Sequence, residues 1–104
     1  MLTLIKELAK KYATEFIDVR HHLHAHPELS FEEYNTSLFI QEKLKSWNIP
    51  FEVMAKTGVV ALIKGLEPES RILALRADMD ALPILEKNQV EYVSQNPGVM
   101  HACG

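Results

Sequence analysis

Apolar residues in the first quarter of the chain recur at helical spacing. Leu4, Leu8, Tyr12, Phe16 and Leu23 form a stripe that Ile5, Ala9, Ala13, Ile17 and Val19 widen, while Lys6, Glu7, Lys10, Lys11, Glu15 and Asp18 fall on the opposite side. A period near 3.6 residues with charge opposite the stripe predicts an amphipathic helix over about 3–25. Pro27 closes it, because the residue before a proline is pushed out of the helical region. A second helix is predicted over about 31–47. Ser30-Phe31-Glu32-Glu33 reads as a capping box, in which the serine hydroxyl accepts a backbone N–H and the glutamate reaches back. Tyr34, Leu38, Gln41 and Leu44 then follow one face, Phe39, Ile40 and Trp47 broaden it, and Asn48-Ile49-Pro50 ends it.

After Pro50 the period changes from helical to extended. Residues 51–55 predict a short strand and Lys56-Thr57-Gly58 a turn. Val59-Val60-Ala61-Leu62-Ile63 is a continuous apolar run within a strand over about 59–64, the pattern of a strand buried on both faces. Gly65 to Ser70 is an exposed connection, and Arg71 to Ala77 predicts another buried strand. Two helices followed by at least three strands give an α/β fold with helices packed on a mixed β-sheet. From Asp78 onward no period is visible, and Pro83 and Asn96-Pro97-Gly98 mark irregular chain.

A chain of 104 residues holds at most one domain. Its net charge of -3 disfavours nucleic acid and anionic membrane surfaces as partners, since both require a basic face. No apolar run approaches the ~20 residues needed to span a bilayer, and Lys6 and Glu7 interrupt the start before a signal-peptide apolar region forms. Cys103 is the single cysteine, which excludes an intrachain disulfide and makes a reducing cytoplasm the expected compartment.

Three segments carry candidate chemistry. Asp78 and Asp80 follow an apolar strand, where ligands bind at the carboxyl ends of strands in α/β sheets. Carboxylates placed there bind a metal or orient a metal-bound histidine, or else cap a following turn. Arg20-His21-His22-Leu23-His24-Ala25-His26 holds four histidines, of which His21/His24 and His22/His26 have the helical spacing to share a ligand. The alternative is hydrogen-bonded histidines at the negative end of a helix dipole. His101-Ala102-Cys103-Gly104 offers one imidazole and one thiol, either as ligands or as a small buried residue beside a polar loop.

Taken in order, these segments form a pattern. Arg20-His-His-Leu-His24-Ala-His26-Pro27-Glu28-Leu29-Ser30-Phe31-Glu32-Glu33 is followed by Thr57-Gly58-Val59-Val60-Ala61, then Arg76-Ala77-Asp78-Met79-Asp80-Ala81-Leu82-Pro83, then Met100-His101-Ala102-Cys103-Gly104. The set closely resembles the amino-terminal part of the metal-dependent amidohydrolases that include N-acyl-amino-acid amidohydrolases, hippurate hydrolases and auxin-conjugate hydrolases. These are a branch of the aminoacylase and glutamate-carboxypeptidase group of metallopeptidases.

The resemblance implies that residues 1–104 are the incomplete amino-terminal portion of an α/β metallopeptidase catalytic domain. The remainder, and a smaller inserted domain that mediates homodimerisation, are expected elsewhere. It implies two divalent ions (zinc, manganese, cobalt or nickel) and hydrolysis of the amide bond of N-acyl amino acids or short peptides by a metal-activated water. Cys103 matches the cysteine that ligates metal, and Asp80 matches the aspartate that orients the site and tunes its acid–base chemistry. Asp78 stands where the wider group has a metal-binding histidine. His24, His26 and Glu28 belong to the pattern without an implied ligand role. In the family the motif continues after Cys-Gly into His-Asp, and later supplies a glutamate pair with the general base. The 104-residue chain by itself is therefore expected to be inactive. The alternatives are a non-catalytic assembly module built on an unpaired sheet edge, or a small metal-binding or redox protein using Cys103 with the histidine cluster.

Overall fold

The computed structural model describes residues 1–103, with elements in the order α1 (Leu2–Ala25), α2 (Tyr34–Ser46), β1 (Phe51–Met54) and β2 (Gly58–Ala61). α1 follows its apolar stripe and has no side-chain cap at its start. It ends where His26 leaves helical geometry, with its N–H bonded to the His22 carbonyl at 3.1 Å and its Nδ1 2.8 Å from the same oxygen. Pro27, next in the chain, is fully buried. The middle of α1 meets the end of α2 through Phe16 and Trp47, whose ring centroids lie 5.5 Å apart, and the Trp47 indole N–H donates to Glu15 at 2.9 Å. Among the described residues no helix is long and apolar enough to cross a membrane.

The start of α2 differs from the capping-box expectation. Phe31 adopts a positive φ of 67°, and close turns follow, with the Glu32 N–H on Leu29 O and the Tyr34 N–H on Glu32 O. That path takes Ser30 out of capping position, and the helix begins at Tyr34 with no side-chain bond from its N-cap, Glu33. Glu28 caps it from a distance. Its Oε1 accepts the Thr36 N–H at 2.5 Å and the Thr36 hydroxyl at 2.7 Å, and its Oε2 accepts the Asn35 backbone and side-chain N–H groups at 3.2 Å each. The negative charge lies where helix N–H groups lack partners and the dipole favours an anion. Glu33 is buried instead, and accepts the Thr57 hydroxyl at 3.0 Å, which ties α2 to the hairpin turn.

β1 and β2 pair antiparallel in the register Phe51↔Ala61 to Met54↔Gly58. Ala55 and Lys56 reverse the chain at positive φ. Gly58 is required there, because a Cβ would sit 2.8 Å from the Met54 carbonyl oxygen. The α/β class is what the structure shows: two helices pack on a small two-stranded sheet. Two isolated bridges extend the pairing, Leu29↔Ala81 in parallel and Leu82↔Met100 in antiparallel sense.

Two strand expectations require correction. The run 59–64 is strand only to Ala61, and it is not covered on both faces: Val60 is 52% exposed and Ile63 76%. Residues 71–77 form no ladder among the described residues, with Ile72 92% and Leu75 91% exposed. Their composition is that of a strand, but a strand exists only beside a neighbour, and β2 has its one partner in β1. The packed interior is small. It gathers Ala25, Pro27, Thr36, Ser37, Ala81 and Val99 where the end of α1, the start of α2 and the loops after residue 80 meet.

Glu28 is the strongest polar tie in that junction. Burial alone would raise its pKa, but the hydrogen bonds from Thr36 and Asn35 outweigh it and hold the carboxyl below its ordinary value. Glu28→Ala should lower the unfolding free energy by about 1–3 kcal/mol in urea titrations. Because the folded-state pKa is depressed, the Glu28 contribution is fully present above its ordinary carboxylate value of 4.5 and is lost as pH falls below it. The difference between wild type and variant should shrink over that acid range. A difference that holds constant down to strongly acidic pH would contradict the assignment.

Candidate active site

The loops after residue 80 hang on backbone bonds to the α1–α2 junction. The Ala81 N–H donates to the Glu28 carbonyl at 2.8 Å, and the Gln95 N–H donates to the Ala25 carbonyl at 2.8 Å. Leu82 and Met100 then exchange two N–H···O bonds of 2.9 Å. This bridge lays the segment before Leu82 alongside the segment after Met100. Asp80 and His101 to Cys103 thus become neighbours although about twenty positions separate them. The Ser94 hydroxyl secures the turn between them by donating to the Val99 carbonyl at 2.7 Å.

The histidines divide. His21 stacks on Tyr92 at 3.7 Å, and His22 is sandwiched between Phe39 at 3.9 Å and His26 at 4.4 Å. His24 turns inward, with its Nε2 2.6 Å from Glu86 Oε1 and its ring edge-on to Tyr92. The Glu86 side chain is only 3% exposed; its other oxygen accepts the Ser94 N–H at 2.6 Å. These hydrogen bonds, the Ser94 one foremost, hold the Glu86 carboxyl below its ordinary value despite desolvation. His21 and His24 are occupied by separate partners, Tyr92 and Glu86, while His22 and His26 stack on each other. Among the described residues, no three His, Cys, Asp or Glu side chains are placed to hold a metal ion.

His101 is the exception to this structural use. Its ring centroid lies 6.5 Å from that of His24, and its Nε2 is buried with no hydrogen-bond partner. Burial, and secondarily His24, push its pKa down, while Asp80 opposes them through its charge and a backbone hydrogen bond. The ring is therefore favoured as neutral imidazole, with one nitrogen left for a partner that these residues do not supply. A cavity of about 640 Å³ is lined by His24, Asp78, His101 and Cys103 together with apolar residues of both helices. Cys103 is an exposed free thiol. Asp80 is half-buried beside the cavity, and Asp78 is exposed in an ion pair with Arg76 at 2.9 Å. Gly104 lies outside the described residues.

An imidazole and a thiol among the residues lining one cavity, His101 and Cys103, fit part of a coordination shell for a divalent metal. A tetrahedral site takes three or four protein ligands, so these donors are one side of a site. Glu86, Tyr92 and Ser94, which hold the histidine layer in place, carry no signal in the sequence, because they lie in irregular chain without a period.

No family model matches the chain. Individual proteins do. The chain is similar in sequence and in fold to metal-dependent amidohydrolases and peptidases. It is 52% identical over 101 residues to the N-acyl-L-amino acid amidohydrolase of Geobacillus stearothermophilus, covering 96% of this chain and 27% of that protein. Among solved structures it matches the YXEP protein of Bacillus subtilis, described as a dinuclear metal binding peptidase from the M20 family. That match has a TM-score of 0.84 at 44% identity, over 90% of this chain and 27% of that one. It also matches a protein of methicillin resistant Staphylococcus aureus provisionally assigned as an aminohydrolase, with a TM-score of 0.90 at 41% identity over 100% of this chain and 28% of that one. The resemblance read from the four motifs is thus shown, and the chain spans about a quarter of the length of the relatives it matches.

Because Asp80 is the group that raises the His101 pKa, Asp80→Asn should move the imidazole midpoint further down, read from ring-proton NMR shifts. A midpoint that rises, or does not move, would show that the Asp80 carboxylate does not act on this ring.

Proposed function

We propose that this chain supplies one wall of an amidohydrolase active site within a longer polypeptide, which hydrolyses the amide bond of N-acyl amino acids or short peptides. One observation supports the reading above the others. A chain 52% identical to an amidohydrolase brings His101 and Cys103 together in the lining of one cavity, with the thiol free and the His101 Nε2 buried without a partner. In this reading Cys103 holds a divalent metal through Sγ, one of two ions, with zinc, manganese, cobalt and nickel all compatible with the donors. When bound, such ions activate water as a nucleophile near neutral pH and polarise the scissile carbonyl.

The residues of this chain position and tune. Asp80, carried on the segment anchored at Ala81, orients the histidine side of the site and sets its acid–base balance. His101 stays neutral, and its Nε2 is buried without a partner in a residue that lines the cavity. Glu86 holds His24 behind it through the 2.6 Å contact. The general base is assigned to a glutamate outside residues 1–104, and general bases contribute about 10²–10⁴-fold in rate. The chain by itself is accordingly inactive in this reading, and the longer enzyme is a homodimer of the reducing cytoplasm acting on small substrates. A second reading, a non-catalytic assembly module, is favoured by the unpaired outer edge of β2 and by the bare apolar stretch 71–77.

Incubation of the 104-residue chain with Zn²⁺, Mn²⁺, Co²⁺ or Ni²⁺ and an N-acetyl amino acid should release no amino acid. The longer polypeptide containing it should release it, and Cys103→Ser in that polypeptide should lower the rate by at least ~10-fold. Metal-dependent release by the short chain would overturn the inactive-by-itself reading. An unchanged rate in the Cys103→Ser variant would remove Cys103 from the site.

A further inference from the structure

Glu86 holds two separate parts of the molecule with its two carboxylate oxygens. It lies in chain without regular structure, yet its side chain is almost fully buried. Its Oε1 meets the His24 Nε2 at 2.6 Å, reaching 62 positions back along the chain to α1. Its Oε2 accepts the Ser94 N–H, also at 2.6 Å, and so reaches forward into the loop that leads to His101. A longer contact of 3.3 Å comes from the Asn88 side-chain amide. An ionised carboxylate only accepts, so the hydrogen in each contact belongs to the partner, and the His24 ring is fixed with a hydrogen on Nε2. These bonds, the Ser94 one foremost, favour the ionised carboxyl against its desolvation.

Each arm leads to the candidate site. On the loop side, the Ser94 hydroxyl bonds to the Val99 carbonyl at 2.7 Å and accepts the Asn96 N–H at 3.2 Å, closing the turn from which Met100 and His101 continue. On the helix side, the His24 ring lies 6.5 Å from that of His101, centroid to centroid, and Tyr92 meets it edge-on. Two further bonds join the loop to the end of α1, from the Gln95 N–H to Ala25 O at 2.8 Å and from the Asn96 side chain to Pro27 O at 3.2 Å. Both act on the α1 backbone and leave the His24 ring untouched. Among the described residues, Glu86 alone bonds through its side chain both to a histidine that lines the cavity and to the His101 loop. A carboxylate behind a histidine fixes its tautomer and ring orientation, and such outer partners govern how well the groups in front of them bind a metal.

We propose that Glu86 is a positioning residue of the candidate site: one buried carboxylate orients His24 and seats the Ser94–His101 loop on α1, and thereby sets the metal affinity at Cys103. Only that last consequence rests on the reading of Cys103 as a metal donor. The role belongs to the two acceptor oxygens and not to the volume of the side chain. Glutamine has nearly the same shape but a single acceptor oxygen, so it serves His24 or Ser94 and turns an amide N–H toward the other. Aspartate is one methylene shorter but keeps both oxygens and the charge. A packing role therefore ranks glutamine above aspartate at this position, and a two-armed acceptor ranks aspartate above glutamine.

The test compares Glu86→Gln with Glu86→Asp in the 104-residue chain, without metal and in mildly alkaline buffer, by NMR. Glu86→Gln should lose one arm. Either the His24 hydrogen moves from Nε2 to Nδ1, read from the ring nitrogen shifts, or the amides of Ser94, Gln95 and Val99 exchange at least ~10-fold faster. Glu86→Asp should stay closer to wild type in both readouts. Protection at Thr36 and Ala81, which Glu28 holds, should be unchanged in both variants and shows that they fold. Glutamine tolerated as well as aspartate, or better, would overturn the proposal. So would protection lost at Thr36 and Ala81 together with the loop, which would make Glu86 a general tie of the fold. The second measurement follows thiolate-to-metal absorption with Co²⁺ in the longer polypeptide. There Glu86→Gln should weaken Cys103-dependent binding at least ~10-fold, and Glu86→Asp less. Unchanged cobalt affinity in Glu86→Gln would remove the positioning role even where the loop loosens. A wild-type polypeptide without that absorption would instead defeat the metal reading of Cys103, and the metal-free comparison would then decide whether Glu86 seats His24 and the loop.

Discussion

Glu28 joins two parts of the molecule with two different groups. Its carboxylate takes the N–H groups of Asn35 and Thr36 and so starts α2, while its backbone carbonyl takes the N–H of Ala81 and so places the loop that bears Asp80. Buried Pro27 keeps this residue at the end of α1, where the helix cannot continue past it. The candidate site depends on that arrangement. Ala81 anchors Leu82, Leu82 pairs with Met100, and Met100 delivers His101 and Cys103 to the cavity beside Asp80. The chain has few large buried side chains, so a polar junction does the positioning that an apolar core does in a compact domain.

The chemistry follows from which polar groups the junction satisfies and which it leaves open. His21, His22, His24 and His26 all have partners: an aromatic ring, another imidazole, the Glu86 carboxylate or a backbone carbonyl. They act as a wall. His101 is desolvated and lacks a partner for Nε2. A buried polar atom without a hydrogen bond costs about 1–3 kcal/mol, and such atoms mark places where a partner from outside the described residues is expected.

Legibility in the sequence followed the range of the interaction. The bodies of α1 and α2 and the β1–β2 hairpin were readable because their causes are local: a 3.6-residue stripe, a proline stop and a Thr57-Gly58 turn. The resemblance to amidohydrolases was readable from four ordered motifs, and the similarity in sequence and fold agrees with that resemblance. Ser30 was misread as a cap because the positive φ of Phe31 turns the chain, and Glu28 reaches the helix from seven and eight residues away. Glu86 and Tyr92 left no trace, since the histidines they hold lie more than sixty residues earlier in the chain. The apolar runs at 59–64 and 71–77 were read as buried strands from composition alone, but strand formation depends on a pairing neighbour that composition does not reveal, and both runs are largely exposed.

The most direct test of this account is amide exchange in Glu28→Gln, followed residue by residue. If Glu28 is the shared anchor, protection at Thr36, Ala81, Leu82 and Met100 should fall together, because loosening the cap frees the carbonyl that holds Ala81 and with it the bridge to the site. Loss of protection confined to Asn35 and Thr36, with Ala81 and the Leu82–Met100 bridge unchanged, would contradict it: Glu28 would then be a helix cap alone, and the site loops would be held by other contacts.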